Sequence, residues 1–296
     1  MKRGITTPFS PDIGEYSAMR HHLGGLHSAL RCDDRCSRPG CRRPDMHIPV
    51  TVFDILCAAH FLKIPPEEVY EHYCFLGILP HERYDPIAIA SVKLRKPCDF
   101  LEAGRCLIYP ARPLACMLFP EHQAVARTLN TLINHDRSGE YLCLHRDIPV
   151  PAARAGVIKQ LGRMMEREVI VSDLYLFGDS PFIIDFSDGK TGLRKMNGQE
   201  SAGRECDRTS FSFSMLEDAF RNVFSAFPPF AETAGKIGRL ESGDVKQELF
   251  RHLADGDRLR RFQQDREDHV FVIGCNNKGL VPKRKRLIPD ECLSPW

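Results

Sequence analysis

Seven cysteines in the first half of the chain are set among short turns, and they restrict the folds open to it more than any other feature. Cys32, Cys36 and Cys41 lie in RCDDRCSRPGCRRP, Cys98, Cys106 and Cys116 in KPCDFLEAGRCLIYPARPLACMLFP, and Cys143 in EYLCLHRD. The Gly, Pro, Asp and Arg residues between them favour turns over long regular elements. Thiols grouped in this way are what a soft metal ion or an iron–sulfur cluster requires, because binding deprotonates the thiol and converges several sulfurs on one centre. The expected architecture is therefore mainly α, with irregular cysteine-bearing loops around a metal centre and a helical C-terminal extension.

The 296 residues suffice for one large domain or two smaller ones. Twelve cysteines also admit a disulfide framework, which needs an oxidising compartment. The opening MKRGITTPFSPDIGEYSAMRHHLGG carries positive charge but neither the apolar stretch nor the small-residue cleavage site of a secretory signal. No segment approaches the roughly 18–20 consecutive apolar residues of a spanning helix. The expectation is a cytoplasmic protein with no membrane partner, where a cysteine framework more often binds metal. A net charge of +2 gives no global pull toward nucleic acid.

Along the chain, residues 1–30 read as a polar arm or short helix, 31–150 as a cysteine-cluster metal-binding domain, and 151–296 as a mainly helical region. Thr51 can cap a helix over VFDILCAAHFL, with Val52, Phe53 and Leu56 along one stripe. Pro65 and Pro66 end it and open a second helix, EEVYEHYCFLGIL, with Glu67 and Glu68 in its first turn. Residues 92–120 read as loops. A helix is expected from Ala152 to about Phe177, with Val157, Leu161, Met164, Met165 and Glu168 in period. A loop over 187–210, helices near 213–227 and 243–263, and a β-like HVFVIG at 269–274 complete the reading.

The second cysteine group reads C-x7-C-x9-C. Phe100-Leu101 follows its first cysteine, Ile108-Tyr109 follows the second, Arg112-Pro113 precedes the third, and Phe119-Pro120 comes after it. Over about residues 30–146 this resembles the YkgJ-type cysteine-cluster family, described as a zinc- or iron-chelating domain. The family segment runs C-x-F-L, C-x-I-Y-x-x-R-P-x-x-C, F-P and a further Cys, here Cys143. The first group departs from that pattern. It reads C-x3-C-x4-C, and Arg42 stands where a second adjacent Cys is usual, which puts the ligand count in question. The resemblance implies a metal site built from the seven grouped cysteines.

Arg31, Arg35, Arg42, Arg43, Lys96, Arg105 and Arg112 are interspersed with those cysteines and can offset thiolate charge, although any one of them alone reads as a solvent-facing charge. Zinc wants four ligands in a closed tetrahedron, and seven cysteines exceed that. They suit two sites, or one cluster with spare thiols. Sulfur alone does not separate zinc from iron–sulfur; the aromatic neighbours Phe100, Tyr109 and Phe119 tilt the reading toward a shielded iron–sulfur cluster.

Other candidates read more simply as structure. Cys57 with His60, and Cys74, read as core; His21, His22 and His27 as a polar arm; Cys206, Cys275 and Cys292 as isolated. No P-loop, G-x-S-x-G or dinucleotide fingerprint is present, and no catalytic residue is assigned. The expected function is metal or cluster binding, with an unspecified protein partner. Two alternatives stand below it. One is a cluster-containing protein-modifying enzyme, since the flagellin lysine N-methylases look related in having a cysteine-cluster region. The other is a nucleic-acid module using the basic run Lys283–Arg286, which otherwise reads as a solvated tail.

Overall fold

Thr51 caps a helix of 11 residues. Its hydroxyl accepts from the Asp54 amide while the Asp54 carboxylate accepts from the Thr51 amide, a reciprocal cap on α3 (Val52–Leu62). The structure, a computed structural model, describes residues 12–28, 37–44, 46–80, 87–119, 121, 150–178, 182–186, 216–218, 220–221, 227–259, 269–276 and 279–287. Before α3 come α1 (Ile13–Gly25) and the single turn α2 (Pro39–Arg42). The segment read as an arm thus carries a helix of 13 residues, capped by the Asp12 carboxylate and burying Tyr16, Arg20 and Gly24.

After α3, Lys63 takes a left-handed conformation and Pro65–Pro66 open α4 (Pro66–Tyr73), with Glu67 and Glu68 in the first turn. This helix is shorter than its sequence pattern. Cys74–Pro80 forms strand β1 rather than the last turns of α4. Val69, Tyr73 and Leu76 fit a helical stripe, but Cys74, Leu76 and Ile78 are buried at a spacing of two, and pairing with the next strand decides between the readings. That partner, β2 (Ile87–Leu94), buries Ala88, Ala90 and Val92 in the same alternation.

A small hairpin follows, β3 (Leu101–Glu102) with β4 (Arg105–Cys106), then a 3-10 turn over Tyr109–Ala111 and α5 (Leu114–Leu118). The long helix α6 spans Ala152–Phe177, as its periodicity indicates. Then come β5 (Ile183–Asp185), α7 (Pro228–Ala231), α8 (Thr233–Gly238), α9 (Gly243–Ala254), β6 (His269–Asn276) and β7 (Gly279–Leu287). The loop expected over 187–210 lies outside the described residues.

The protein is mainly α. The expectation of a purely helical C-terminal extension needs correction, because β5, β6 and β7 belong to a five-stranded sheet ordered β1-β2-β5-β6-β7. The β2–β5 and β6–β7 pairs are antiparallel, and β5–β6 is parallel. Lys283–Arg286, read as a solvated tail, lies within β7, the last strand of that order.

Contacts divide the chain into two units. The first comprises Met1–Phe75, Lys93–Ser172 and Gly235–Leu259; the second comprises Leu76–Val92, Asp173–Ala234 and Arg260–Trp296. The first unit buries every residue of α3 from Val52 to Ala59, Asp54 included, so this helix is buried all round rather than along one stripe. Tyr16, Phe53 and Phe250 pack with ring centres 5.2–5.9 Å apart. The second unit is centred on Phe230. Phe177, Phe182, Phe220 and Phe227 surround it, with ring centres 4.8–5.6 Å from its own. Among the described residues, no helix is long and apolar enough to cross a membrane.

Candidate metal centre

Pro39 at the first position of α2, preceded by Arg38 in the left-handed region, coils SRPGCR into a single turn that carries Cys41. The carbonyl of Cys41 accepts from the Cys98 amide at 2.7 Å, and Lys96 Nζ donates to the Gly40 carbonyl at 2.5 Å. Cys41 and Cys98, more than fifty residues apart in sequence, are thus joined by one backbone bond and flanked by one from the Lys96 side chain. The Cys98 carbonyl then accepts from Leu101, the first residue of β3. Ala103 and Gly104 turn the hairpin with positive φ of 44° and 76°, and Leu101 pairs with Cys106 across it. Glycine takes this conformation freely, whereas Ala103 is strained by its Cβ.

Past the hairpin, Arg112 is extended, as the following Pro113 requires. Pro113 then starts α5, which carries Cys116. The Arg112 guanidinium lies 4.3 Å from the Tyr109 ring centre. Tyr109 and Leu107 are exposed beside Cys106.

The electrostatics describe one shared neighbourhood. Burial pushes the Cys106 thiol up to about 11, with Cys98 and Cys41 adding to the push and Arg112 opposing it. Burial raises Cys116 further; Cys41 and Cys98 again add, while Lys96 and Arg112 oppose. Cys98 is raised by burial, against the amide of Phe100 and the charge of Lys96. Burial thus disfavours the charged form of each thiol, and a bound cation is what would turn such groups into thiolates. Cys98, Cys106 and Cys116 are in no disulfide.

Of the seven cysteines singled out in the sequence, the structure therefore brings Cys41, Cys98, Cys106 and Cys116 into one region of the first unit. Cys32, Cys36 and Cys143 lie outside the described residues. Among the described residues, no three His, Cys, Asp or Glu side chains are close enough together to hold a metal ion. Cys57 and Cys74 are core residues, each 1% exposed, as their apolar settings indicate. Arg42 is exposed, so the position where a further cysteine was considered faces solvent. Arg31 and Arg35 are not described.

The sequence reading missed a buried charge cluster beside this region. Arg20 pairs with Asp54, lies 3.7 Å from Glu168 Oε1 through Nε, and donates to Cys57 Sγ at 3.2 Å. Glu168 accepts from the Tyr16 hydroxyl at 2.6 Å and the Thr51 hydroxyl at 2.8 Å. Burial pushes its carboxyl up to about 7 despite the pull of Arg20. Two signals were available: Asp54 three residues after a capping Thr, and a carboxylate on the apolar stripe of α6. A second buried pair joins Arg154 to Glu121, and the guanidinium of Arg154 also caps the end of α1 through the carbonyls of Leu23, Gly24 and Leu26. Lys93, wholly buried, lies 3.3 Å from His47 Nδ1 and 5.0 Å from the Phe75 ring centre.

No family model, no curated protein and no solved structure matches this chain.

Proposed function

We propose that the chain is a metal- or iron–sulfur-cluster-binding protein that works through clustered cysteine thiolates. The observation that carries this reading is the bond from the Cys98 amide to the Cys41 carbonyl, which ties the two sequence groups together with Cys106 and Cys116 in the same electrostatic neighbourhood. The donor chemistry fits a soft ion, since thiols predominate and no His is interleaved in the second group. Cys41, Cys98, Cys106 and Cys116 would supply ligands, completed by Cys32, Cys36 or Cys143. When bound, the group would supply either a structural cross-link or an electron-carrying centre. Lys96 and Arg112 would offset thiolate charge and hold the loops in place. Between zinc and iron–sulfur we favour the cluster, on the aromatic residues Phe100, Tyr109 and Phe119 set among the cysteines in sequence. A reducing compartment, the cytoplasm, suits thiols kept for a metal.

The test is anaerobic purification followed by metal and acid-labile sulfide analysis. Iron with matching sulfide is expected; zinc without sulfide would keep the metal reading and discard the cluster. Cys98→Ser, Cys106→Ser or Cys116→Ser should lose metal and melting temperature together, because binding free energy in such sites is folding free energy. Cys206→Ser and Cys292→Ser should leave metal content alone. Protein that carries no metal, and whose melting is indifferent to chelator, overturns the reading.

A further inference from the structure

Asp54 does three jobs with one carboxylate. Oδ2 accepts from the Thr51 amide at 2.9 Å and completes the cap of α3. Oδ1 pairs with Arg20 and also accepts from the Leu114 amide at 3.1 Å. Leu114 is the first residue of α5, and Cys116 is its third.

A helix of five residues cannot hold its own shape, because nucleation consumes more order than so few hydrogen bonds return. Its N-cap, Pro113, provides no side-chain capping bond. The direction of α5 is therefore set from outside. On one side Met117 lies against α1: a Cβ on Gly24 would stand 3.2 Å from Met117 Sδ. At its start the anchor is Asp54. That carboxylate is in turn held by Arg20, which Glu168 flanks on the other side, so the anchor is rigid and wholly buried.

We propose that Asp54 is a positioning residue for the cysteine site, fixing through the Leu114 amide the start of the helix that carries Cys116. The inference rests on the metal-binding reading and names what fixes the geometry of one ligand. It makes the buried charge cluster the footing of the site, since only Asp54 among the acids of that cluster also bonds α5.

Anaerobic titration of the metal-free full chain with cobalt(II) tests it, reading affinity and the thiolate charge-transfer band alongside melting temperature. Asp54→Ala should weaken cobalt binding on the order of 10- to 100-fold and alter the band. Asp54→Asn keeps an oxygen for the Leu114 amide and should restore most of the affinity while still lowering the melting temperature. Phe230→Ala, in the second unit and outside the cluster, should lower stability and leave affinity and band as in the wild type. If Asp54→Ala does not fold, Leu114→Pro removes the bonded N–H at a helix position that tolerates proline. It is compared with Leu114→Ala, which truncates the same side chain and keeps the N–H; the proline variant should bind cobalt at least about 10-fold more weakly than the alanine variant. Wild-type affinity and band in Asp54→Ala, or equal affinities in the Leu114 pair, overturn the inference while leaving the metal reading intact. A wild-type chain that binds no cobalt and carries no iron as purified overturns both.

Discussion

The second unit fills its interior with aromatic rings: Phe230 is wholly buried and touches four other phenylalanines. The first unit has the ring trio of Tyr16, Phe53 and Phe250, but sets beside it Arg20, Asp54 and Glu168, all at most 2% exposed. An aromatic core gains from area removed from water and from edge-to-face contact, about 0.5–1.5 kcal/mol per pair beyond burial. A buried charge cluster adds little net stability but is unforgiving of geometry, because each group must keep its partner. The first unit is also the one that carries the described cysteines of the candidate site. Precision, more than stability, is what such a cluster contributes there.

Arg20→Ala puts this comparison under the greatest strain. It leaves Asp54 and Glu168 buried without their cation and should cost about 3–5 kcal/mol, with further loss from the missing side-chain stem. Hydrogen exchange should speed up at the α3 amides, and unchanged exchange there would break the idea of an essential cluster. Phe230→Ala should cost a similar or slightly smaller ~3–5 kcal/mol through the cavity left among four rings. Its effect should be read at the Ala90 amide, which donates to the Phe182 carbonyl at 2.9 Å. If each substitution accelerates exchange equally at both sets of amides, the two cores are not distinct.

Glu168→Gln sharpens the contrast through pH. A carboxyl whose folded value is raised to about 7 holds its proton in the folded chain while the unfolded chain releases it. Wild-type stability should therefore fall as pH rises from about 4.5 to 7, by on the order of 3 kcal/mol. The groups facing this carboxyl are Tyr16 and Arg20 from α1, and Thr51 and Asp54 from α3. Glutamine keeps an acceptor for Tyr16 and Thr51 and has no proton to lose, so its denaturation midpoints should be flatter across that range. An unchanged slope would show that another group titrates. The smallest effect belongs to the surface: Arg221, 62% exposed near Glu217 and Asp218, should change stability by less than about 0.5 kcal/mol as Arg221→Ala.

Local signals in the sequence carried much of the first unit. Thr51 as a cap, Pro65–Pro66 as a boundary and the period of α6 depend on neighbours within a few residues, and the structure agrees with all three. Cys74–Leu79 misled because its residues suit both a helical stripe and an alternating strand, and the deciding partner is Ile87–Leu94, unrecognised as a strand. At the site, Pro39, Gly104 and Pro113 announce turns, but nothing local says that the Cys98 amide will find the Cys41 carbonyl. The cluster of Arg20, Asp54 and Glu168 was hidden for the same reason: its members come from α1, α3 and α6, and only their tertiary meeting gives the charges a purpose.

The position of β7 bears on how copies of this chain behave toward one another. It is the last strand of the sheet, and an end strand offers unpaired backbone groups that invite a second sheet to dock. Lys283, Arg284, Lys285 and Arg286 run consecutively along it, so two such edges brought together would face each other with like charge. Like charge along a strand edge opposes such edge-to-edge pairing, so the basic run would act against association of copies. Neutralising it should raise light scattering on concentration, and any loss of polyanion retention in that variant has to be judged against this association.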